Sequence, residues 1–204
     1  MNITVYCGAM QGRDPDHMKK AEELGRWIAE NGHRLIYGAG NAGMMGAVSD
    51  GVLEAGGEAV GVSPRFFVYN EKTRDDLTER IATEDMSERR NLMIEMGDAF
   101  IALPGGTGTL DEISEVMSLL RIGKLGEKIK PVMLYNMNGY FDEIFAFLDK
   151  AVENGYLGKD DRERIIDVRS TGDVSAALET AGLPDPAHHR FREDRNTERT
   201  GNRP

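Results

Sequence analysis

A glycine-rich block near the middle of the chain has residue types and spacing suited to binding an anion. Residues 103–112 form this block, with the sequence LPGGTGTLDE. The apolar segment before it, residues 99–103, is typical of a buried strand, and apolar residues recur at helical spacing after it. Glycines allow a ligand to approach the backbone closely, and the free N–H groups in the first turn of a helix point towards it. The block therefore predicts a strand, a phosphate-binding loop and a helix.

The block ends with Glu112, whose carboxylate indicates that the ligand carries a sugar next to its phosphate. A carboxylate that faced the phosphate would repel it, so we expect Glu112 to face the neighbouring sugar. A structural alternative fits the same spacing. In a capping box, Glu112 would accept a hydrogen bond from the backbone N–H of Thr109.

Two arginines, Arg89 and Arg90, lie in the first turn of a helix predicted over residues 87–97, with Ser87 as its cap. Cations at this end oppose the helix dipole by about 0.3–1 kcal/mol each, so an anion is expected nearby. That anion is either a ligand or the acidic side chains that flank the arginines in sequence. Arg89 shares a helical stripe with Met93, which places its stem near the packed side of the helix and close to a pocket.

A second glycine loop, residues 38–43, has the sequence GAGNAG and matches the dinucleotide-binding pattern G-x-G-x-x-G. That pattern requires an acidic residue at the end of the following strand to hold the ribose. The strand predicted over residues 58–62 has none there, which disfavours NAD or FAD. We instead expect the loop to form a second wall of the ligand site. Asn41 would then offer an amide to a nucleotide, or simply serve as a left-handed turn residue.

Composition limits the classes of protein to which the chain can belong. With 204 residues and a net charge of −10, it is long enough for one substantial domain and too acidic to assemble a nucleic-acid surface. Residues 184–204 are polar and lack an apolar face, so we expect a domain over residues 1–183 and a disordered tail after it. No segment has the length of a membrane span, and the first residues lack the basic and apolar regions of a leader.

The chain has a single cysteine, Cys7, which excludes a disulfide framework and suits the reducing cytoplasm. We expect Cys7 to be a small buried residue at the end of the first strand rather than a nucleophile, because no histidine has a clear role beside it. Histidine, cysteine and acidic residues do not cluster at metal-ligand spacing, so no metal site is expected.

Strand and helix patterns alternate along the chain. Strands are predicted over residues 3–7, 34–37, 58–62, 80–83, 99–103, 131–136 and 165–168. Helices are predicted over residues 14–31, 44–55, 87–97, 141–154 and 173–181 and after residue 108, and residues 64–77 are expected to be irregular. Repeated strand–helix units predict an α/β fold with a mostly parallel sheet and helices on both faces. Ligands of such sheets bind beyond the carboxyl ends of the strands.

The motifs together resemble the Lonely Guy family of cytokinin riboside 5′-monophosphate phosphoribohydrolases over roughly residues 3–183. They are Cys7-Gly8 after the first strand, the 38–43 loop, Glu88-Arg89-Arg90 and the block over residues 104–112. The resemblance implies a Rossmann-like three-layer α/β/α domain and a homodimer with its sites close to the interface. It also implies cleavage of the N-glycosidic bond of a nucleoside 5′-monophosphate, such as AMP or N6-prenylated AMP, without a metal or redox cofactor. The products would be the free base and ribose 5-phosphate.

The resemblance also assigns roles to residues. Arg89 and Glu112 would be the catalytic pair. Binding of the substrate or its phosphate would fall to Gly8, Gly40, Asn41, Arg90, Gly105, Gly106, Thr107, Gly108 and Thr109.

Three positions depart from the pattern common in the family. Ala9-Met10 replaces two serines, so two hydroxyl donors to the ligand are absent. Ala39 replaces the central residue of a triple glycine, which we expect to be tolerated only with a negative φ. Arg90 replaces a lysine and keeps the charge with a different geometry. Related proteins also carry a lysine-decarboxylase label, but nothing in the sequence identifies a Schiff-base lysine.

Two alternatives stay open. The same loops could bind a phosphorylated ligand without hydrolysing it, as in a carrier of nucleotides or cofactors. An enzyme with the same residues could also act on nucleoside monophosphates with little base preference.

Two of the predicted helices carry more large apolar residues than one core face needs, which indicates a homodimer interface. These residues are Met86, Met93, Met96, Met117, Leu119 and Leu120.

Overall fold

The computed structural model describes residues 1–68 and 74–188, which form alternating strands and helices. The strands are Asn2–Tyr6 (β1), Arg34–Tyr37 (β2), Glu58–Pro64 (β3), Glu79–Thr83 (β4), Ala99–Ala102 (β5), Val132–Tyr135 (β6) and Ile165–Val168 (β7). The helices are Pro15–Glu30 (α1), Gly43–Glu54 (α2), Arg65–Val68 (α3), Met86–Met96 (α4), Thr107–Arg121 (α5), Asp142–Glu153 (α6), Lys159–Glu163 (α7) and Thr171–Leu178 (α8).

All seven strands lie parallel in one sheet, in the order β4-β3-β2-β1-β5-β6-β7. The chain begins at the centre of the sheet, proceeds to one edge, and then crosses back so that β5 pairs with β1. Tyr6 lies opposite Ala102 at the carboxyl ends of these two strands. The loops that follow β1 and β5 therefore leave the sheet side by side. This is the switch point at which open α/β sheets bind ligands.

Helices cover both faces of the sheet and produce three layers. On one face, α1, α2 and α8 pack Leu24, Val48 and Val174 against the strands, and all three side chains are fully buried. On the other face, α4, α5 and α6 pack Met93, Ile113 and Phe145 in the same way. The predicted α/β fold with a parallel sheet and a Rossmann-like three-layer architecture is confirmed. The loops that follow β1 and β5 therefore leave the sheet between the two helical layers.

Local details differ from the predictions at two places. The segment predicted to be irregular over residues 64–77 includes the end of β3 and the short helix α3, and its residues 69–73 lie outside the described residues. Helix α4 is capped by Asp85 and not by Ser87. The Asp85 carboxylate accepts hydrogen bonds from the backbone N–H groups of Ser87 at 2.8 Å and of Glu88 at 2.9 Å. A carboxylate one residue before the helix therefore occupies the position that the serine was expected to fill.

The first residues after position 183 pack against the domain. Asp185 and Ala187 are buried, and Arg164 donates a hydrogen bond of 2.6 Å to the Asp185 carboxylate. The rest of the predicted tail, residues 189–204, lies outside the described residues. In the described part of the chain, no helix has the length and apolar character needed to span a membrane.

Candidate active site

A cavity of about 780 Å³ opens where the loops after β1 and β5 meet. Its wall combines residues 7–14 from the first loop, residues 104–109 from the second, and parts of helices α1, α2, α4 and α5. The backbone N–H of Gly8 donates to the Pro104 carbonyl at 3.1 Å, which holds the two loops against each other. The glycine-rich block predicted to bind an anion therefore lies at the mouth of the central strands.

The glycines of this block serve two different purposes. A side chain on Gly105 would lie 2.1 Å from the Thr109 hydroxyl, so this glycine is required for close packing. Added Cβ atoms on Gly106 and Gly108 would meet no heavy atom within 4 Å, so these residues border open space. Helix α5 begins at Thr107 with Gly106 as its N-cap, and no side chain caps it. A helix start without a side-chain cap leaves its first-turn N–H groups able to donate hydrogen bonds to an anion.

Arg89 and Glu112 form a buried ion pair at the cavity wall. The Arg89 Nη1 atom donates a hydrogen bond of 2.5 Å to Glu112 Oε1, and each residue is 8% exposed. The capping-box alternative for Glu112 is wrong. Because α5 begins at Thr107, Thr109 lies inside the helix, and the Glu112 carboxylate is directed towards Arg89 instead.

The guanidinium of Arg89 is held on two more sides. Its Nε atom donates to the Val62 carbonyl at 3.0 Å. A Cβ atom on Gly38 would lie 2.2 Å from Arg89 Nη2, so the guanidinium occupies the space that a side chain at this position would fill. The unfavourable position of a cation in the first turn of α4 is offset by the Glu112 carboxylate. The predicted location of Arg89 at a pocket is confirmed.

Burial changes the titration of two groups at the site. It raises the pKa of the Glu112 carboxyl above its usual value, and the charge and hydrogen bond of Arg89 oppose part of that rise. Burial also raises the pKa of the Cys7 thiol, which keeps the sulfur protonated at neutral pH. Cys7 is thus a buried thiol at the end of β1, as predicted, and a poor nucleophile.

Eight of the eleven predicted site residues line this cavity: Gly8, Arg89, Gly105, Gly106, Thr107, Gly108, Thr109 and Glu112. Gly40, Asn41 and Arg90 do not. Asn41 is exposed beyond the rim, and the Met45 side chain packs across Gly40. Arg90 instead donates to Glu115 at 3.0 Å and lies 3.4 Å from Asp111. Direct binding of a ligand by these three residues stays a prediction.

Ala39 has a φ of +64°, so the expectation of a negative φ is wrong. The left-handed conformation costs a residue with a Cβ atom about 1–2 kcal/mol. It aims the Ala39 carbonyl at the backbone N–H of Arg74, which donates to it at 2.9 Å. The alanine side chain is buried against Gly61, which has no Cβ to obstruct it. Packing and this hydrogen bond together stabilise the strained conformation.

Several wall residues were not identified from the sequence. Tyr140, in the turn before α6, donates a hydrogen bond of 2.6 Å to the carbonyl of Gly105, and its ring meets the edge of His17 at 5.7 Å between centroids. Arg13 and Asp14 reach the cavity from the loop after β1. The position of that loop at a switch point could have indicated them. Tyr140 carries no comparable signal, because only the folded chain brings it to the glycine block.

Two further observations concern cofactor chemistry. Among residues 1–68 and 74–188, no group of three or more histidine, cysteine or acidic side chains is arranged to hold a metal ion. No lysine lines the cavity within the same residues. The wall therefore offers no amine for a Schiff base.

Known proteins are similar to this chain in sequence and in architecture. A family model described as "possible lysine decarboxylase" matches residues 45–178. A protein from Oryza sativa subsp. japonica, named cytokinin riboside 5′-monophosphate phosphoribohydrolase LOG, is 40% identical over 177 residues, which cover 87% of this chain and 72% of the relative. A protein from Rhodococcoides fascians, named cytokinin riboside 5′-monophosphate phosphoribohydrolase, is 39% identical over 178 residues, covering 87% and 88%.

A solved structure extends the comparison at the level of fold. The molybdenum cofactor binding protein from Rippkaea orientalis has a TM-score of 0.65 and 24% identity, with 87% of this chain and 94% of that chain covered. At this identity the likeness concerns the fold alone.

Proposed function

Because this chain belongs to the Lonely Guy family, we propose that it hydrolyses the N-glycosidic bond of an adenosine 5′-monophosphate, with N6-modified nucleotides among its substrates. The free base and ribose 5-phosphate are the products. The observation that carries this proposal is the buried Arg89–Glu112 pair at 2.5 Å, at the wall of the cavity that the glycine block borders.

The glycine block binds the 5′-phosphate in this proposal. The uncapped N-terminus of α5 and the open space at Gly106 and Gly108 support it. Backbone N–H groups and the helix dipole favour a phosphate at such a position. Gly105 packs closely against the Thr109 side chain, which supports the loop.

Glu112 acts on the ribose. As the bond from C1′ to the base nitrogen breaks, its electron pair leaves with the base and positive charge develops on the sugar. The Glu112 carboxylate hydrogen-bonds the ribose hydroxyls, stabilises that charge and orients a water molecule. The water oxygen bonds to C1′ and the water loses a proton, while the departing base gains one. Arg89 favours the ionised form of Glu112 and fixes its direction through the 2.5 Å hydrogen bond.

The base lies against the apolar part of the wall in this proposal. Methionine side chains from the first loop, α2 and α4 contribute that part, namely Met10, Met44, Met45 and Met86. Thioether side chains are flexible and polarizable, so they adapt to an apolar N6 substituent as readily as to a bare purine edge. The Ala9-Met10 pair, where the family pattern has serines, adds to this apolar part of the wall.

We also propose a homodimer. Of the six apolar residues that indicated an interface, Met93 and Leu120 are buried in the core and Met86 lines the cavity. Met96, Met117 and Leu119 are only partly buried on α4 and α5, together with Leu92. A second copy of the chain would cover this face.

The single buried cysteine supports a location in the reducing cytoplasm.

A chromatographic assay tests the proposed reaction. Purified protein is incubated with AMP, N6-isopentenyl-AMP, GMP, CMP and UMP, and free base and ribose 5-phosphate are measured. We expect release from the adenine nucleotides, and a loss of about 100- to 1,000-fold in kcat for Glu112→Gln with nucleotide binding retained. Glu153→Gln, an exposed change on α6, is the matched control. Binding without release of any base would instead favour a carrier of phosphorylated ligands.

A further inference from the structure

Arg13 differs from every other charged residue in the cavity wall. That wall contains the carboxylates of Asp14, Asp111 and Glu112 and the guanidiniums of Arg13 and Arg89. Glu112 is paired with Arg89, and Asp111 lies 3.4 Å from Arg90. No hydrogen bond or ion pair reaches the Arg13 side chain from residues 1–68 or 74–188.

The nearest carboxylate in sequence, Asp14, is engaged elsewhere. It accepts hydrogen bonds from Asn138 Nδ2 at 2.8 Å and from the backbone N–H of Asp16 at 3.0 Å, and it lies 3.5 Å from His17 Nε2. The hydrogen bond from Asn138 lowers the pKa of Asp14, which keeps this carboxylate charged within its own network. Asp14 thus anchors the start of α1 and leaves Arg13 unneutralised.

A phosphorylated ligand changes the charge balance of the cavity. Glu112 and Asp111 are paired with Arg89 and Arg90, and Asp14 stays charged, so a phosphate of charge near −2 is unfavourable in the cavity unless a free cation meets it. Arg89 is already neutralised by Glu112. The N-terminus of α5 offers backbone donors to the phosphate but no full charge. Arg13 is the wall residue able to supply that charge, through a planar fork suited to phosphate oxygens.

We infer that Arg13, on the loop after β1, binds the 5′-phosphate together with the glycine block and makes the site selective for nucleotides over nucleosides. This role rests on the proposed function, because it takes the glycine block as the other half of the phosphate site. Arg13 and the first turn of α5 line the same cavity, so one ligand can contact both.

Calorimetric titration with ribose 5-phosphate and with ribose tests the role of Arg13. We expect Arg13→Gln to weaken ribose 5-phosphate binding roughly 10- to 100-fold, the range for one hydrogen bond to a charged group. Arg13→Lys should recover part of this loss. Arg26→Gln is the matched control, because Arg26 is exposed further along α1 and pairs with the surface carboxylates of Glu22 and Glu54.

Kinetics separate this inference from the proposed reaction. Arg13→Gln should raise the KM for AMP by a similar factor and leave kcat/KM for adenosine unchanged. Ribose 5-phosphate binding that is absent in the wild-type protein, or equally tight in Arg13→Gln, would overturn the role of Arg13. Binding that depends on Arg13, in a protein that releases no base, would refute the hydrolysis and keep the phosphate site.

Discussion

Gly38 and Arg89 occupy complementary positions: the guanidinium fills the space that a side chain at position 38 would need. A Cβ atom there would lie 2.2 Å from Arg89 Nη2 and 3.1 Å from the sulfur of Met45. The loop that matches a dinucleotide-binding pattern in sequence therefore packs against Arg89, the arginine that holds Glu112. Its first glycine is required by a side chain of the same protein rather than by a ligand.

Replacing Gly38 with alanine tests this relationship. The added methyl group has to displace the guanidinium, which is fixed by Val62 and Glu112, and displacements near 1 Å at a reacting site cost about 100-fold in rate. We expect Gly38→Ala to lower kcat for AMP by about that factor. Gly172→Ala on α8 meets only the Ser170 hydroxyl at 3.5 Å and should leave kcat unchanged. A Gly38→Ala enzyme with wild-type kcat would show that the exact position of Arg89 is unimportant.

The sequence predicted the sheet and the central motifs because their signals are local. Short apolar runs mark strands such as β5, and the glycines and helical spacing after it mark the start of α5. The Arg89–Glu112 contact joins residues 23 positions apart, and no local pattern fixes its geometry. The positive φ of Ala39 likewise depends on a hydrogen bond from Arg74, on a distant segment. Contacts of this kind are decided by packing in the folded chain.

Tyr140 braces the glycine block. Its hydroxyl donates to the Gly105 carbonyl at 2.6 Å, and a hydrogen bond of this kind contributes about 0.5–1.5 kcal/mol. We expect Tyr140→Phe to raise the KM for AMP about two- to tenfold, because the phosphate loop loses one of its supports, with a smaller change in kcat. Steady-state kinetics would measure both. Tyr156→Phe, at a tyrosine that is 80% exposed, is the control. An unchanged KM in Tyr140→Phe would contradict the bracing role.

The partly buried apolar face on α4 and α5 predicts how two copies associate. The Met117→Glu substitution would place a charge on that face, and burying this charge at an interface without a partner is strongly unfavourable. We expect light scattering to give a dimer mass for the wild-type protein and a monomer mass for Met117→Glu. Phe147→Glu alters an aromatic residue that is 67% exposed on α6 and should stay dimeric. Dissociation by Phe147→Glu alone would place the interface on α6 instead.

The raised pKa of Glu112 predicts the acid side of the pH profile. Burial raises this pKa above 4.5, and Arg89 limits the rise. Because the proposed mechanism uses the ionised carboxylate, kcat/KM should fall as the pH falls through the raised pKa. The acid limb should therefore lie above pH 4.5, the usual value for the carboxyl.

Changes at Arg89 should move this limb. Arg89→Met removes both its charge and its hydrogen bond, so the pKa of Glu112 rises further and the limb shifts to higher pH. Arg89→Lys keeps a cation and should shift it less. All profiles of kcat/KM are measured with the same nucleotide. Titration of the substrate phosphate therefore affects every enzyme equally and does not change the differences between their limbs. Limbs that coincide in the wild-type, Arg89→Lys and Arg89→Met enzymes would assign the acid limb to a group other than Glu112.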